Sequence, residues 1–229
     1  MTNNFNFDEF IKTYTESSET GRPQMLSRDD ARIPFYEYVC NRLVGLNRPI
    51  LVVETGAMWS TQGAFTLVFA DLIKNHTGGK IVTIDISEEH LNKAKENTKD
   101  FSDVIEYILS DSVEYLSSLT KETMSDIDLL YLDSFDLDAL DPLPSEIHHL
   151  RELLAVYNHL RQDSIIGVDD NLMPGNWMEW RFPDGQVTTV EATNKIIGKG
   201  TLTDRYLRDL NWTRFNDDKS YCLLGYIRK

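Results

Sequence analysis

Cysteine is nearly missing from this chain. Cys40 and Cys222 stand far apart and in no C-x-x-C spacing, which excludes a disulfide framework and a zinc site and leaves both as ordinary buried thiols. Basic charge is scarce as well: 23 Lys and Arg face 37 Asp and Glu, a formal net charge of -14. Such a surface repels phosphate backbones and anionic headgroups, so nucleic acid and membrane are excluded as partners. Long apolar runs are absent too. The longest uncharged stretch, Thr55 to Ala70, is sixteen residues broken by Ser, Thr, Gln and Gly, short of the roughly 18 to 20 apolar residues that span a bilayer. The opening MTNNFNFDEF puts Asp8 and Glu9 where a secretory signal needs a basic patch and an apolar core, so the expected location is cytoplasmic. No repeat or low-complexity tract recurs, which removes solenoids, propellers and coiled coils. What remains is 229 residues with a 41% hydrophobic share, enough to fill the core of one large domain with an appended arm.

Short apolar runs alternate with helical stretches. Residues 1–30 read as a mobile or ligand-ordered arm, because SSETGRPQMLSRDD is rich in turn formers. The domain proper is expected over 31–229. Ile33, Tyr36, Val39, Cys40 and Leu43 recur at helical spacing, and ILVVE after Pro49 reads as a strand buried on both faces of a parallel sheet. A helix over Thr61–Asn75 and the strand KIVTIDI complete one βαβ unit. Ser87 caps the next helix, with Glu88 and Glu89 in its first turn. Further strands are expected at 104–109, 128–133 and 164–169, with helices near 112–119 and 145–160. LNWTRF and SYCLLGYI flank Asn216-Asp217-Asp218-Lys219, a turn too short for a parallel crossover, so the sheet should end in an antiparallel pair. NWMEWRF and QVTTVE around Pro183-Asp184-Gly185 predict an inserted β-hairpin over 175–192. The fold class is α/β, Rossmann-like and doubly wound.

Four constellations carry chemistry. Glu54 and Gly56 end the first strand, where a ligand can approach bare backbone beside a helix N-terminus; neither the G-x-G-x-x-G of dinucleotide folds nor the G-K-[ST] of a P-loop is present. Asp85 closes the second strand, where a carboxylate can take two ribose hydroxyls or merely cap the next helix. Asp111-Ser112 follows the third, either to accept an adenine amino group or as an N-cap. Together these describe a nucleoside pocket with no phosphate grip. Asp133 ends the fourth strand and Asp169-Asp170-Asn171 the fifth; neighbouring parallel strands bring these oxygens close, and hard oxygen donors suit Mg²⁺, Ca²⁺ or Mn²⁺.

The Glu54-Thr55-Gly56 loop, Asp85, Asp111 and the pairing of Asp133 with Asp170-Asn171 and Pro174-Gly175 resemble class I S-adenosylmethionine-dependent methyltransferases. Within them the chain is most similar to the metal-dependent O-methyltransferases, both catechol and macrocin-type sugar enzymes, over about residues 49–227. The resemblance implies a mostly parallel seven-stranded sheet with an antiparallel last strand. It implies that Glu54, Gly56 and Ser60 border the methionine part of S-adenosylmethionine, Asp85 holds the ribose, and Asp111 and Ser112 flank the adenine. Asp133, which also borders the cofactor, would share a divalent cation with Asp170 and Asn171, Asp169 being an alternative ligand.

The catechol enzymes' lysine base is replaced here by Asp136, which favours a sugar-type acceptor with Asp136 as base and Asp138 behind it. His148 is a rival base, although the adjacent pair His148 and His149 is also what a solvated helix start presents. Trp177, Trp180 and Arg181 either wall an acceptor pocket or bury the hairpin. Arg22, Gln24 and Met25 are candidates for a lid, and Lys195 and Lys199 with the glycines of GKG read as a flexible basic loop. The expected activity is metal-assisted methylation of a hydroxyl on a small molecule, with homo-oligomerisation left open. The alternatives are a metal-independent N- or C-methyltransferase and a non-catalytic nucleoside-binding protein.

Overall fold

A computed structural model describes residues 5–16, 25–27, 29–58, 64–181, 185–216 and 222–228. The elements in chain order are α1 (Phe7–Thr15), α2 (Ile33–Gly45), β1 (Ile50–Thr55), α3 (Phe65–Leu72), β2 (Gly79–Asp85), α4 (Glu88–Asn97), β3 (Ile105–Leu109), α5 (Ser112–Ser118) and α6 (Lys121–Asp126). There follow β4 (Ile127–Leu132), α7 (Leu143–Val156), β5 (Ile165–Leu172), β6 (Asn176–Arg181), β7 (Val187–Ala192), β8 (Ile197–Gly198), α8 (Thr201–Asp209), β9 (Trp212–Arg214) and β10 (Cys222–Arg228). The main sheet runs β3-β2-β1-β4-β5-β10-β9, with β8 added to β5, while β6 and β7 pair only with each other. β1 to β5 are mutually parallel; β10 is antiparallel to both β5 and β9. The sheet is therefore the expected mostly parallel one with a reversed last strand, and β6–β7 is the expected hairpin.

Strand alternation divides the core. Ile50 and Val52 of β1, Leu129 and Tyr131 of β4 and Ile165 of β5 point toward α1, α2 and α3. Their neighbours Val53, Leu130, Leu132 and Ile166 point toward α5, α6, α7 and α8, as a period of two requires. Every residue of β4 is buried, the pattern of a central strand covered on both faces. Strand order reverses between β1 and β4, so their carboxyl ends open the crevice where such sheets bind ligands. At the opposite end, buried Asp128 accepts from the Leu51 N–H at 2.9 Å and from Arg48 at 2.5 and 3.0 Å. It also accepts from Arg161 in a short contact.

Several sequence expectations differ from the structure. Residues 7–15 are helical rather than an irregular arm: Asn6 caps the Asp8 and Glu9 N–H groups, and Phe7, Phe10, Ile11 and Tyr14 are buried at i, i+3, i+4, i+7 spacing. Tyr14 donates to Asp71 Oδ2 at 2.7 Å, fastening α1 to α3. The helix expected from Thr61 begins at Phe65 and ends in a π-helical turn, Ile73–Thr77. Helices α6 and α8 were not anticipated; α6 is a single capped turn and a half, and α8 offers only Leu207 as a fully buried apolar residue. On α7 the buried face is not the most apolar one, for Ile147 and Leu154 are exposed. The buried face carries His149, Glu152, Leu153 and Val156, because the polar pair is sealed against the β4 loop. Cys40 is buried, its thiol pushed up by burial. Ser60, Arg22, Gln24, the Pro183-Asp184 turn and residues 217–219 lie outside the described residues. No helix among the described residues is long and apolar enough to cross a membrane.

Candidate functional site

β1 delivers Glu54 to the α3 side of the sheet, buried, where Thr66 Oγ1 lies 2.9 and 2.8 Å from its two oxygens. Burial pushes the Glu54 carboxyl up to about 8, against the hydrogen bonding from Thr66. The chain then turns at Gly56, whose φ is 85°. Gly56 N donates to Ile84 O at 2.8 Å, and Asp133 N donates to Thr55 O at 3.0 Å, so both loops continue the sheet's bonding one residue beyond its strands. Asp85 spans the next gap: one carboxylate oxygen accepts from Ala57 N at 3.0 Å and the other from Ser87 N at 2.7 Å. Each oxygen keeps acceptor capacity for a vicinal diol. Asp111 caps α5 through Glu114 N at 2.9 Å. Ser112 is buried, and its hydroxyl lies 3.1 Å from His148 Nε2.

His148 therefore faces the β3–α5 turn. Its Nε2 also lies 3.4 Å from Glu152 Oε1, which takes a further hydrogen bond from Ser134 at 2.7 Å. Burial pushes Glu152 up, but these partners win and hold it below the usual carboxylate range. His149 is fully buried with Nδ1 on Ser145 O at 2.7 Å; burial depresses it to about 4, so it is neutral rather than solvated. Asp136 and Asp138 are exposed, and Asp138 caps Leu140 N at 2.9 Å.

The fourth constellation holds a partner that sequence reasoning misplaced. Lys199 is buried rather than part of a mobile loop, and its ammonium lies 2.6 Å from Asp133 Oδ1, 2.8 Å from Asp170 Oδ2 and 3.3 Å from Asp133 O. Burial opposes its charge, but the two carboxylates raise it above the ordinary lysine value. Asp133 is pushed up by burial and by Asp169 and Asp170, and pulled back by Lys199. Asp169 accepts from the Tyr131 hydroxyl in a short contact and from Asp170 N at 2.8 Å. Asp170 takes a left-handed φ of 52°, a conformation Asp tolerates better than most residues. Asn171 Oδ1 accepts from Gly200 N at 2.7 Å, while its Nδ2 donates to Val168 O and Asp169 O. Arg32, also unsignalled, lines the same crevice with Glu54, Gly56, Tyr131 and Asp133, held by a bidentate pair with Asp30 at 2.9 Å.

A family model described as "Methyltransferase domain" matches residues 53–171, just over half of the chain. The chain belongs to that family. With its Rossmann-like sheet it is an S-adenosylmethionine-dependent methyltransferase. A methyltransferase from Geobacter sulfurreducens is similar over 97% of this chain and 89% of its own, at 16% identity and a TM-score of 0.52. The SAM-dependent methyltransferase from Agrobacterium tumefaciens is similar over 93% and 66%, at 15% and 0.51. The O-methyltransferase from Bacillus cereus in complex with SAH is more distant, over 100% and 94%, at 11% and 0.48. At these identities the first two likenesses show the fold alone. No curated protein matches the chain.

For this methyltransferase the expected divalent cation does not fit the residues as they stand. Asp133 and Asp170 are bridged by an ammonium, Asn171 is turned to backbone groups, and Asp169 to Tyr131 and Asp170 N. Among the described residues no group of three His, Cys, Asp or Glu is arranged to hold a metal ion. The sequence could not show this, because Lys199 lies 29 positions beyond Asp170 and reaches it only through the β5–β8 pairing.

Two of the shifted groups beside the crevice, Glu54 and His149, tie stability to pH. Glu54 is raised from 4.5 to about 8, so its contribution is complete below 4.5 and lost as pH rises toward 8. His149 is lowered from 6.5 to about 4, so its contribution is complete above 6.5 and lost as pH falls toward 4. In the melting-temperature profile the slopes of these two groups cancel between pH 4.5 and 6.5, where their combined contribution to stability is greatest; the net loss is about 2 kcal/mol from pH 6.5 to 8 and under about 1 kcal/mol from 4.5 to 4. Glu54→Gln should reduce the alkaline limb, to which the raised Asp133 also contributes, and His149→Gln the acid limb. Unchanged limbs in both variants would contradict the burial argument.

Proposed function

We propose that this methyltransferase moves the methyl group of S-adenosylmethionine to a hydroxyl oxygen of a small molecule. When bound, S-adenosylmethionine supplies an electrophilic methyl on a sulfonium. Glu54 and Gly56 would border its methionine end, Asp85 would take the ribose hydroxyls, and Ser112 with Asp111 would flank the adenine. The observation that carries this reading is the meeting of Gly56, Asp85 and Asp133 at the carboxyl ends of β1, β2 and β4, around the switch point.

Asp133 stands where β4 ends, with a third of its side chain exposed, and can orient the acceptor's hydroxyl. Exposed Asp136, three residues on, is the candidate proton acceptor. His148 is less suited, since its Nε2 already faces Ser112 and Glu152. The rate then comes from alignment of the acceptor oxygen along the transfer line and from exclusion of water. A divalent cation is no part of this reading, for the reason given by Lys199. An amine acceptor is the second reading, since metal-free transfer suits nitrogen as readily as oxygen. The proposed substrate partner is a small polar molecule rather than nucleic acid, given the net charge of -14.

Calorimetric titration of S-adenosylhomocysteine into the full chain tests the cofactor site. Micromolar binding is expected, weakened by roughly tenfold or more in Asp85→Ala as two charge-assisted hydrogen bonds are lost. No binding to the wild type would sink the assignment. Binding followed by methyl transfer to amines and not to hydroxylated acceptors would move it to the second reading.

A further inference from the structure

We propose that Lys199 is a resident cation, standing where the acidic pattern calls for a divalent metal, and that this chain works with Asp133 and Asp170 locked to an ammonium. The proposal rests on the crevice being the methyl-transfer site. Lys199 is brought there by main chain rather than by a wandering side chain. β8 pairs with the end of β5, Gly198 opposite Asn171 and Ile197 opposite Leu172, and Lys199 N donates to Asp170 O at 3.2 Å. The glycines on either side are what permit this approach. Gly198 has a φ of 147°, and a Cβ there would run into Asp170 O; one on Gly200 would lie 2.8 Å from Asn171 Oδ1. The GKG triplet is thus a device for seating a lysine against the acidic pair.

The charge arithmetic agrees. Asp133 and Asp170 carry two negative charges on facing strand ends, and without a cation they would repel each other at short range. Lys199 has a side chain 3% exposed, against 34% for Asp133 and 51% for Asp170. It lies behind the carboxylates and holds them toward the crevice, so it is a positioning residue. A hard divalent ion needs six or more oxygen ligands. Among the described residues Asn171 Oδ1 is an amide oxygen placed to join the pair; it gives one lone pair to Gly200 N and keeps the other, so it is the Lys199 ammonium that holds the cation's place.

The test titrates Mg²⁺ and Ca²⁺ into full-length wild type, Asp133→Asn, Lys199→Met and the Lys199→Met/Asp133→Asn double variant, with terbium luminescence as a second readout. Wild type should show no saturable uptake in the millimolar range. Lys199→Met, which keeps an apolar stem without the charge, should gain one site at least about 100-fold tighter, lost again in the double variant. A folding defect alone creates no cation site. One equivalent bound by wild type and abolished in Asp133→Asn would overturn the proposal, and that arm holds even if Lys199→Met fails to fold. A folded Lys199→Met with no gained site would overturn it equally. S-adenosylhomocysteine titrated into the same wild-type sample separates the two claims, since its failure to bind would remove the methyl-transfer reading while leaving the cation result standing.

Discussion

Gly56→Ala should abolish measurable S-adenosylhomocysteine binding and cost the fold about 2–5 kcal/mol. Two penalties combine. A φ of 85° places any L-residue in the left-handed region, worth roughly 1–2 kcal/mol. The added methyl would also be driven into the Asp133 carbonyl, and overpacking a rigid contact costs about 1–3 kcal/mol. Relief requires the β1 and β4 loops to part, which pulls Asp133 away from the crevice. Gly175→Ala is the control, because its φ is also 85° while nothing lies within 4 Å of the added carbon. It should show the backbone penalty alone and bind ligand normally. Denaturant melts and calorimetry on both variants check this, and equal behaviour of the two would show that the loop contact does not matter.

Asp128→Ala should be the most destabilising single substitution at the other end of the sheet, by about 3 kcal/mol or more. The lost carboxylate is 1% exposed and satisfies Arg48, Arg161 and the Leu51 N–H at once. The backbone N–H of Leu51 then loses its side-chain acceptor. Arg48 is 40% exposed and Arg161 29%, so the guanidiniums can recover water and the loss stays at the low end for a buried ion pair. Arg48→Ala should cost far less, since Arg161 still covers the charge. The urea midpoint measures both. Because Asp128 lies at the amino end of β4, opposite the crevice, Asp128→Ala should leave S-adenosylhomocysteine affinity unchanged in whatever fraction stays folded. A specific loss of affinity would contradict that separation.

The sheet was legible because its strands are β-branched runs between turn formers, and the loops after β1, β2, β3 and β4 could be ordered from alternation alone. Helix α1 was hidden by brevity: four apolar side chains at helical spacing are a weak signal beside the turn-rich segment that follows. On α7 the apolar residues suggest the buried face, but His149 is held by Ser145 O and Glu152 by Ser134 from the β4 loop, and these hydrogen bonds override the pattern. Asp133 and Asp170 come together on the Lys199 ammonium, while the Asn171 side chain turns to the backbone of Gly200, Val168 and Asp169. What fills the space between Asp133 and Asp170 was illegible, since periodicity does not report a β-bridge of two residues such as β8. The same limit applies to Arg32, which precedes α2 and enters the crevice only once α2 has packed on the sheet.

The strands of the β6–β7 hairpin pair with each other and with no strand of the main sheet. Its inward residues Met178 and Trp180 rest on a small cluster of Ala139, Leu172, Val190 and Ala192, while Trp177, Glu179 and Arg181 face outward. No strand of the main sheet depends on its register. Changes in its length or outer face therefore leave the crevice floor untouched, so the hairpin can diverge at a different pace from the frame.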